Sequence, residues 1–183
     1  MSALSIARMG AEVLRQPAAE VVDLADPGLW DLVDDMIETM FEAGGVGLAA
    51  PQVYHARRVV IFFVPAARNQ GIEVPLTVMV NPVINPLDDV TEESLEACLS
   101  VPGLTGMVPR FANIRYHYQD MAGALIEREA HGFHARVVQH ECDHLDGVVY
   151  PMRMDDLSTL AFSDVLLAEA SARGHELELD EEG

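Results

Sequence analysis

The chain has 183 residues, half of them hydrophobic, and 11 Lys and Arg stand against 30 Asp and Glu, for a formal net charge of −19. This length and composition predict one folded domain with a buried core and argue against a disordered chain. The excess of carboxylates also argues against a nucleic-acid partner, because phosphate backbones are bound by clustered cations.

The cysteine count and the apolar runs bear on the cellular compartment. Only Cys98 and Cys142 are available for redox pairing, no apolar run reaches the ~18 residues of a membrane span, and the first residues lack a signal-peptide pattern. We therefore expect a reduced, cytoplasmic protein that has no membrane association. The sequence does not determine the oligomeric state.

The first segments in chain order are an arm and a helix. Residues 1–26 predict an irregular arm. Asp26 and Pro27 are typical of a helix start, and Gly44 or Gly45 is a suitable end. The apolar positions at three and four spacing that we expect in the core are Trp30, Val33, Met36, Ile37, Met40 and Phe41.

A glycine-rich stretch at 44–52 follows this helix. Its glycines permit unusual backbone angles and the close approach of a ligand or of another backbone. A phosphate-binding loop is the alternative, but no strand precedes the stretch and no Lys-Ser/Thr pair follows it. A tight turn without function is also compatible with these residues.

The middle of the chain is rich in strand patterns. Alternation, β-branched residues and turn signals predict extended segments and a hairpin. Residues 65–75 and the Pro102–Gly106 segment are predicted as a loop and a turn. The predicted strands are 58–64, 76–80 (ended by Asn81-Pro82), 90–99, 113–119 and 124–130.

The last third of the chain predicts two helices. One begins at Gly132 and ends at Gly147, and the other runs from Asp155 or Asp156 to Gly174, after an extended piece at 148–151. Without regular βαβ alternation, the fold class is α+β, with mostly antiparallel sheets around a central helix and a C-terminal helix. We expect a single domain over residues 1–174 and an acidic tail at 175–183.

The residues with the clearest chemical meaning lie on the first of these helices. His140 and His144 are one helical turn apart on nearly the same face, so they can bind one divalent metal ion. Glu141 lies at the edge of that face, where its carboxylate can reach a water beside the metal. The pattern predicts two ligands and a general base, and Cys142, which points elsewhere, is expected to pack in the core.

The third ligand must come from outside the motif, and the residues leave it open. Cys98, between a predicted strand and a turn, is the strongest candidate, although a lone buried thiol is more often inert. A zincin arrangement would need a histidine where the chain has Tyr150, and a distant carboxylate such as Glu169 is the remaining option.

Taken together, three separated motifs are similar to those of the peptide deformylases. Their order and spacing match, and the resemblance covers roughly residues 6–155. The motifs are Gly45-Val46-Gly47-Leu48-Ala49-Ala50-Pro51-Gln52, Glu96-Ala97-Cys98-Leu99-Ser100 and Gln139-His140-Glu141-Cys142-Asp143-His144.

This resemblance implies a function and a role for each matching residue. The implied reaction is removal of the N-formyl group from the formyl-methionine of new polypeptides in the bacterial cytoplasm, with release of formate. Fe(II) is the implied metal, with Zn(II), Ni(II) or Co(II) as substitutes. The implied metal ligands are Cys98, His140 and His144, the catalytic residues Glu141, Gln52 and the Leu99 backbone N–H, and the peptide-binding residues Gly45, Val46, Gly47 and Ala97.

Two residues depart from the family pattern. Ala97 stands where most relatives have glycine, and Thr105 stands where many have an arginine that could hold the substrate main chain. These changes leave open a second hypothesis, an amide hydrolase of this fold with another N-acyl substrate. A metal-binding interaction module without turnover is a third, but it would not be expected to keep Glu141 and Gln52.

Overall fold

The structure, a computed structural model, describes residues 3–173 and is an α+β domain. Its strands form a five-stranded sheet in the order β1-β2-β3-β6-β7 and a three-stranded sheet in the order β4-β5-β8, and all pairs between these strands are antiparallel. The helices are α1 (Pro27–Glu42), α2 (Gly132–Leu145) and α3 (Ser163–Ala172). The strands are β1 (Gly47–Ala49), β2 (Val59–Val64), β3 (Val74–Pro86), β4 (Thr91–Glu96), β5 (Leu104–Phe111), β6 (Asn113–Gln119), β7 (Leu125–His131) and β8 (Ala161–Phe162).

Helix α2 is the centre of the molecule. All twelve of its residues from His134 to Leu145 are buried, although seven of them are polar or charged. Strand β2 separates the two main clusters of the core: Val60 and Phe62 pack on the α2 side, whereas Val59 and Ile61 pack on the α1 side. Because both faces of β2 are covered, its sequence is continuously apolar. The predicted arrangement of antiparallel sheets around this helix is confirmed.

Helix α1 begins where the sequence predicts, but part of its apolar stripe faces water. The side chain of Asp26 accepts a hydrogen bond from the Gly28 N–H, and Leu29, not Trp30, faces the core. Trp30 is 47% exposed and Phe41 54% exposed, so the prediction that they are core residues is wrong. Each finds a local partner instead: the Trp30 indole donates to the Leu24 carbonyl, and Phe41 stacks on Phe63.

Three sheet segments differ from the prediction. Strand β3 does not stop at Asn81-Pro82, because Asn81 adopts a left-handed φ of 51° and the pairing with β6 shifts register around it. The middle of the glycine-rich stretch forms β1, which pairs with β2. The predicted turn at Pro102–Gly106 is wrong in its second half, because strand β5, which the sequence did not reveal, already begins at Leu104.

The C-terminal part also differs. The segment predicted as one helix from residue 155 contains a short 3-10 turn at Leu157–Thr159 and then strand β8, so that helix α3 begins only at Ser163. Pairing of β8 with Leu104 and Thr105 competes successfully with helix formation there. The predicted acidic tail at 175–183 lies outside the described residues.

The predicted irregular arm makes backbone hydrogen bonds to the segments that contain the three motifs. Its backbone donates from Ala7 to the Gln52 carbonyl, from Met9 to the Ser100 carbonyl and from Ala18 to the Leu145 carbonyl at the end of α2. The arm therefore links all three motif segments through backbone hydrogen bonds. No helix among residues 3–173 is long and apolar enough to cross a membrane.

Candidate metal centre and active site

The structure brings Cys98 together with the two histidines of α2. One ligand atom from each of Cys98, His140 and His144 lies within 4.8 Å of the others, and all three side chains are buried. Cys98 is the second residue after the end of β4, and its Sγ is 3.4 Å from Nε2 of His144. The histidine rings, one turn apart on α2, are 5.1 Å apart and nearly perpendicular. Convergence of these three side chains agrees with the expectation from the sequence.

The orientation of His140 is set by a carboxylate. Its Nδ1 lies 2.8 Å from Oε2 of Glu96 at the end of β4, so Nδ1 carries the proton and Nε2 is left to face the centre. Burial alone would lower the pKa of His140, but its hydrogen bonds to Cys98 and Glu96 raise it above the usual value. Burial and the positive neighbours His140 and Arg110 lower the pKa of His144, which keeps that imidazole neutral.

Glu96 is itself held by two buried arginines. Arg110 donates to both carboxylate oxygens at 2.9 Å, and Arg136 donates to Oε1 at 2.7 Å. Burial would raise the pKa of Glu96, but the hydrogen bonds and charge of Arg110, together with His140, hold it well below the usual range. Glu96 is therefore ionised at neutral pH.

A second carboxylate on α2 continues this network. Asp143 accepts hydrogen bonds from Arg110 and, through both oxygens, from Arg153 after the helix. Spacing in the sequence did not identify Glu96, Arg110 or Asp143 as parts of the site. Glu96 and Asp143 lie within two of the motifs that match the family, and this was the signal that could have identified them.

Glu141 projects into the centre beside the glycine-rich stretch. Its carboxylate is 2% exposed, and among the described residues its Oε2 has no hydrogen-bond partner. Burial is the main reason that the pKa of Glu141 rises to about 7. A Cβ added at Gly47 would be 2.3 Å from Oε1 of this carboxylate, so only glycine fits against it.

Gln52 lies on the other side of the sulfur. Its Oε1 accepts from the Ala49 N–H at 2.8 Å, which turns its amide group towards Cys98 Sγ at 3.6 Å and Ser100 Oγ at 3.3 Å. The N–H groups of this side chain therefore point into the centre. Leu99, next to the candidate ligand Cys98, packs its side chain against Gly45.

Of the four residues expected to bind peptide, two line a small cavity beside Glu141, namely Val46 and Ala97. A small cavity beside the centre is lined by Val46, Glu96, Ala97, Phe133, Arg136, Val137, His140 and Glu141. Gly45 and Gly47 are the chain neighbours of Val46 and are not among the lining residues. Phe133, the first apolar residue of α2, forms part of the wall of this cavity.

Thr105 does not face this cavity. It is 1% exposed in β5, pairs with Ala161 and bonds to Ser163 Oγ at 2.6 Å. Thr105 thus anchors the start of α3. A larger cavity of about 660 Å³ borders a different part of α2, at Gln139, Cys142 and Asp143, and contains none of the three candidate ligands.

The arrangement of donors fits a divalent metal ion. In a tetrahedral site with ordinary metal–sulfur and metal–nitrogen lengths, sulfur and nitrogen ligands are about 3.6 Å apart, close to the 3.4 Å between Cys98 and His144. The other schemes do not fit: Tyr150 stacks on His140, and the Glu169 carboxylate is 59% exposed and pairs with Arg173.

Two imidazoles and a cysteine sulfur that converge beside a buried carboxylate are typical of a metal-dependent hydrolase. Comparison with known proteins identifies which one. The family model for polypeptide deformylase matches residues 3–159. The chain therefore belongs to the peptide deformylase family, the metallo-hydrolases that remove the N-formyl group from newly made polypeptides.

Individual relatives agree with this assignment. Peptide deformylase 1 of Bordetella pertussis is 52% identical over 169 residues, which is 90% of this chain and 95% of the relative. Peptide deformylase 1 of Nitrosomonas europaea is 49% identical over 163 residues, 88% of this chain and 93% of the relative. The predicted family, reaction and enzyme class are confirmed.

Solved structures show the same fold. A class I type b peptide deformylase from Acinetobacter baumannii with bound Met-Ala-Ser has a TM-score of 0.78 and 39% identity. The match covers 83% of this chain and 98% of the Acinetobacter chain. The actinonin-bound form of the same enzyme has a TM-score of 0.75 and 37% identity, with 85% and 100% coverage.

Proposed function

We propose that this enzyme hydrolyses the formamide of formyl-methionyl peptides with Cys98, His140 and His144 as ligands of a catalytic Fe(II). The observation that supports it is the convergence of one buried sulfur and two imidazole nitrogens within 4.8 Å. Zn(II), Ni(II) or Co(II) are proposed substitutes, because thiolate and imidazole ligands suit all of these ions. Bound metal supplies Lewis-acid chemistry: it lowers the pKa of water and polarises the formyl carbonyl.

Glu141 is proposed as the general base and acid. It takes a proton from the attacking water as the new C–O bond forms at the formyl carbon. It then gives that proton to the leaving amine as the C–N bond breaks, which yields formate and a free N-terminus. A buried carboxylate with a pKa near 7 suits both halves of this transfer at neutral pH.

Gln52 and the Leu99 backbone N–H are proposed to bind the oxyanion. The Ala49 N–H already orients the Gln52 amide, so one of its N–H groups has only to exchange Ser100 Oγ or Cys98 Sγ for the formyl oxygen when negative charge develops there. Gly45, Val46, Gly47 and Ala97 are proposed to line the peptide groove, and a Met-Ala-Ser complex of a relative supports a peptide ligand here.

We further propose that residues 1–174 act as one catalytic domain in the bacterial cytoplasm, on nascent chains and without direct contact to nucleic acid. The family match from residue 3 to 159 and the net charge of −19 support these statements.

The decisive experiment compares two substrates and two enzymes. Formate release from formyl-Met-Ala-Ser should greatly exceed any hydrolysis of acetyl-Met-Ala-Ser, because the small cavity beside the centre leaves little space for an added methyl group. Glu141→Gln should keep its metal and lose about 10²–10⁴ in kcat. Equal hydrolysis of both peptides would instead favour a broader N-acyl amide hydrolase, and a fully active Glu141→Gln enzyme would exclude the proposed base.

Iron is tested separately. Metal analysis of protein purified without oxygen should find about one iron per chain, and Cys98→Ser should reduce it strongly because a thiolate is lost.

A further inference from the structure

The small cavity beside Glu141 is closed to the substrate side chain that the proposed function requires it to admit. Its volume is about 10 Å³, close to the least that holds one water molecule. A formyl group that reaches Glu141 brings the next side chain, that of methionine, against the apolar part of the cavity wall. This part consists of Val46, Ala97, Phe133 and Val137. Because methionine is long and unbranched, at least one wall must move before it can enter.

The polar part of the wall is fixed. Glu96 is 1% exposed and accepts hydrogen bonds from two arginines and from His140. One of these arginines, Arg136, also donates to the backbone carbonyls of Glu92 and Val108, so it connects α2 to strands β4 and β5. Neither Glu96 nor Arg136 can turn aside without leaving a buried charge unpaired. The end of the cavity next to the reacting formyl group therefore keeps its shape.

Three of the four apolar side chains cannot move aside either. Ala97 has no side-chain rotamers, and Val137 is buried on α2, where a β-branched side chain has essentially one rotamer. Val46 is also β-branched, and its carbonyl accepts a hydrogen bond of 2.9 Å from the Phe63 N–H, which holds its backbone against β2. Phe133 differs, because it is only half-buried in the first turn of α2 and its ring can turn about two side-chain bonds.

Arg68 holds the ring of Phe133 in its present position. The guanidinium carbon of Arg68 lies 3.7 Å from the centre of the ring, which is the geometry of a stacked cation–π contact. Arg68 ends the short 3-10 turn Ala66–Arg68 after β2, and residues 71–73 beyond it are exposed. Since this arginine comes from a surface segment, it can release the ring without disturbing the core.

We propose that Phe133 and Arg68 form a gate of the methionine side-chain pocket. The ring closes the pocket in the free enzyme, Arg68 holds it there, and the entering side chain turns it aside. This inference rests on the proposed function, because it assumes that the side chain next to the formyl group enters this cavity. The gate also makes the enzyme selective, since a short side chain gains too little burial to offset the lost contact.

Arg68→Gln tests what holds the gate closed. A cation–π contact at a partly exposed site corresponds to a factor of about two to five in an equilibrium constant. We expect KM for formyl-Met-Ala-Ser and the inhibition constant of Met-Ala-Ser to fall about threefold, with kcat unchanged. Arg57→Gln is the matched control, because it removes one charge from an arginine that is 42% exposed and pairs with Asp26 at the start of α1. Equal changes in both variants would refute the role of Arg68, because loss of positive charge would then account for them.

Phe133→Ala tests the ring. Without the ring the pocket stays open, so kcat/KM for formyl-Phe-Ala-Ser relative to formyl-Met-Ala-Ser should rise about tenfold or more. Phe133→Leu keeps an apolar side chain at the start of α2 and should change this ratio in the same direction by a smaller factor. If the ratio is unchanged in whichever of the two variants folds, the role of the ring is refuted.

A fluorine label shows the movement directly. With para-fluorophenylalanine at position 133, the fluorine resonance should move when Met-Ala-Ser is added. In Arg68→Gln it should lie part of the way to the bound position before any peptide is present. A resonance that stays in place, in an enzyme that binds Met-Ala-Ser and releases formate normally, would refute the gate and leave the proposed function intact. A wild-type enzyme that releases no formate from formyl-Met-Ala-Ser would instead refute the proposed function.

Discussion

Gly47 offers the sharpest test of how the glycine-rich stretch serves the chemistry. Its backbone is not in the left-handed region, so alanine is compatible with the main chain. An added Cβ would, however, lie 2.3 Å from Oε1, 2.6 Å from Cδ and 2.8 Å from Cγ of Glu141. To reach an ordinary contact of ~3.4 Å, the carboxylate oxygen must move by about 1 Å.

Displacement of a catalytic group by about 1 Å costs roughly 10²-fold in rate, or about 2.7 kcal/mol of transition-state stabilisation. We therefore expect Gly47→Ala to lower kcat for formyl-Met-Ala-Ser about a hundredfold, while the metal content stays at the wild-type level. The assay is formate release together with metal analysis of the same samples.

Gly45→Ala is the matched comparison. Its Cβ would be 3.0 Å from Cδ1 of Leu99, the end of a flexible side chain that can turn aside. We expect only a several-fold loss of kcat there. The reasoning would be refuted by a Gly47→Ala enzyme within threefold of wild type, or by a Gly45→Ala enzyme that is impaired as severely.

Three further predictions follow from the centre, the tail and the core. The iron enzyme should lose activity in air faster than the Ni(II) or Co(II) enzyme, because a thiolate beside Fe(II) is open to oxidation; equal half-lives would contradict an iron thiolate site. Deletion of 175–183 should leave kcat and KM for short formyl peptides unchanged, and a large loss would place the tail in the site. Burial lowers the pKa of His134 to about 4, so between about pH 6.5 and 4 the unfolded chain binds more protons than the folded one. The free energy of unfolding therefore decreases as the pH is lowered through this range. Urea titrations should show that His134→Gln abolishes about 2 kcal/mol of the loss between pH 7.5 and 5, whereas the same change at exposed His55 should not.

The sequence predicts the parts of the site that depend on local periodicity. His140 and His144 are brought together by the pitch of one helix, and the start of that helix is marked by Gly132. Apolar strands such as β2 and the β6–β7 hairpin are also visible from their patterns. In these segments local preference and tertiary packing agree, so the sequence alone is a sufficient guide.

Long-range pairing accounts for what the sequence does not predict. Strand β5 contains Gly106 and Pro109, both poor strand formers, and is stabilised by pairing with β4 and β8. Likewise, Glu96 meets Arg110 and Arg136 across 14 and 40 residues of chain. No short-range pattern marks such partners, because only the folded sheets bring them together.

The choice of basic residues explains how so acidic a chain can hold its metal centre. Every one of the 11 basic residues in the sequence is arginine. Lysine can lose its proton when it is buried, whereas the guanidinium stays charged and bonds both oxygens of one carboxylate. Arg110 does this at Glu96, and its partner Asp143 is held in the same way by Arg153. Glu96 thereby remains ionised and accepts the hydrogen bond from Nδ1 of His140. The proton stays on Nδ1, so Nε2, which faces Cys98, is the nitrogen without a proton when metal binds.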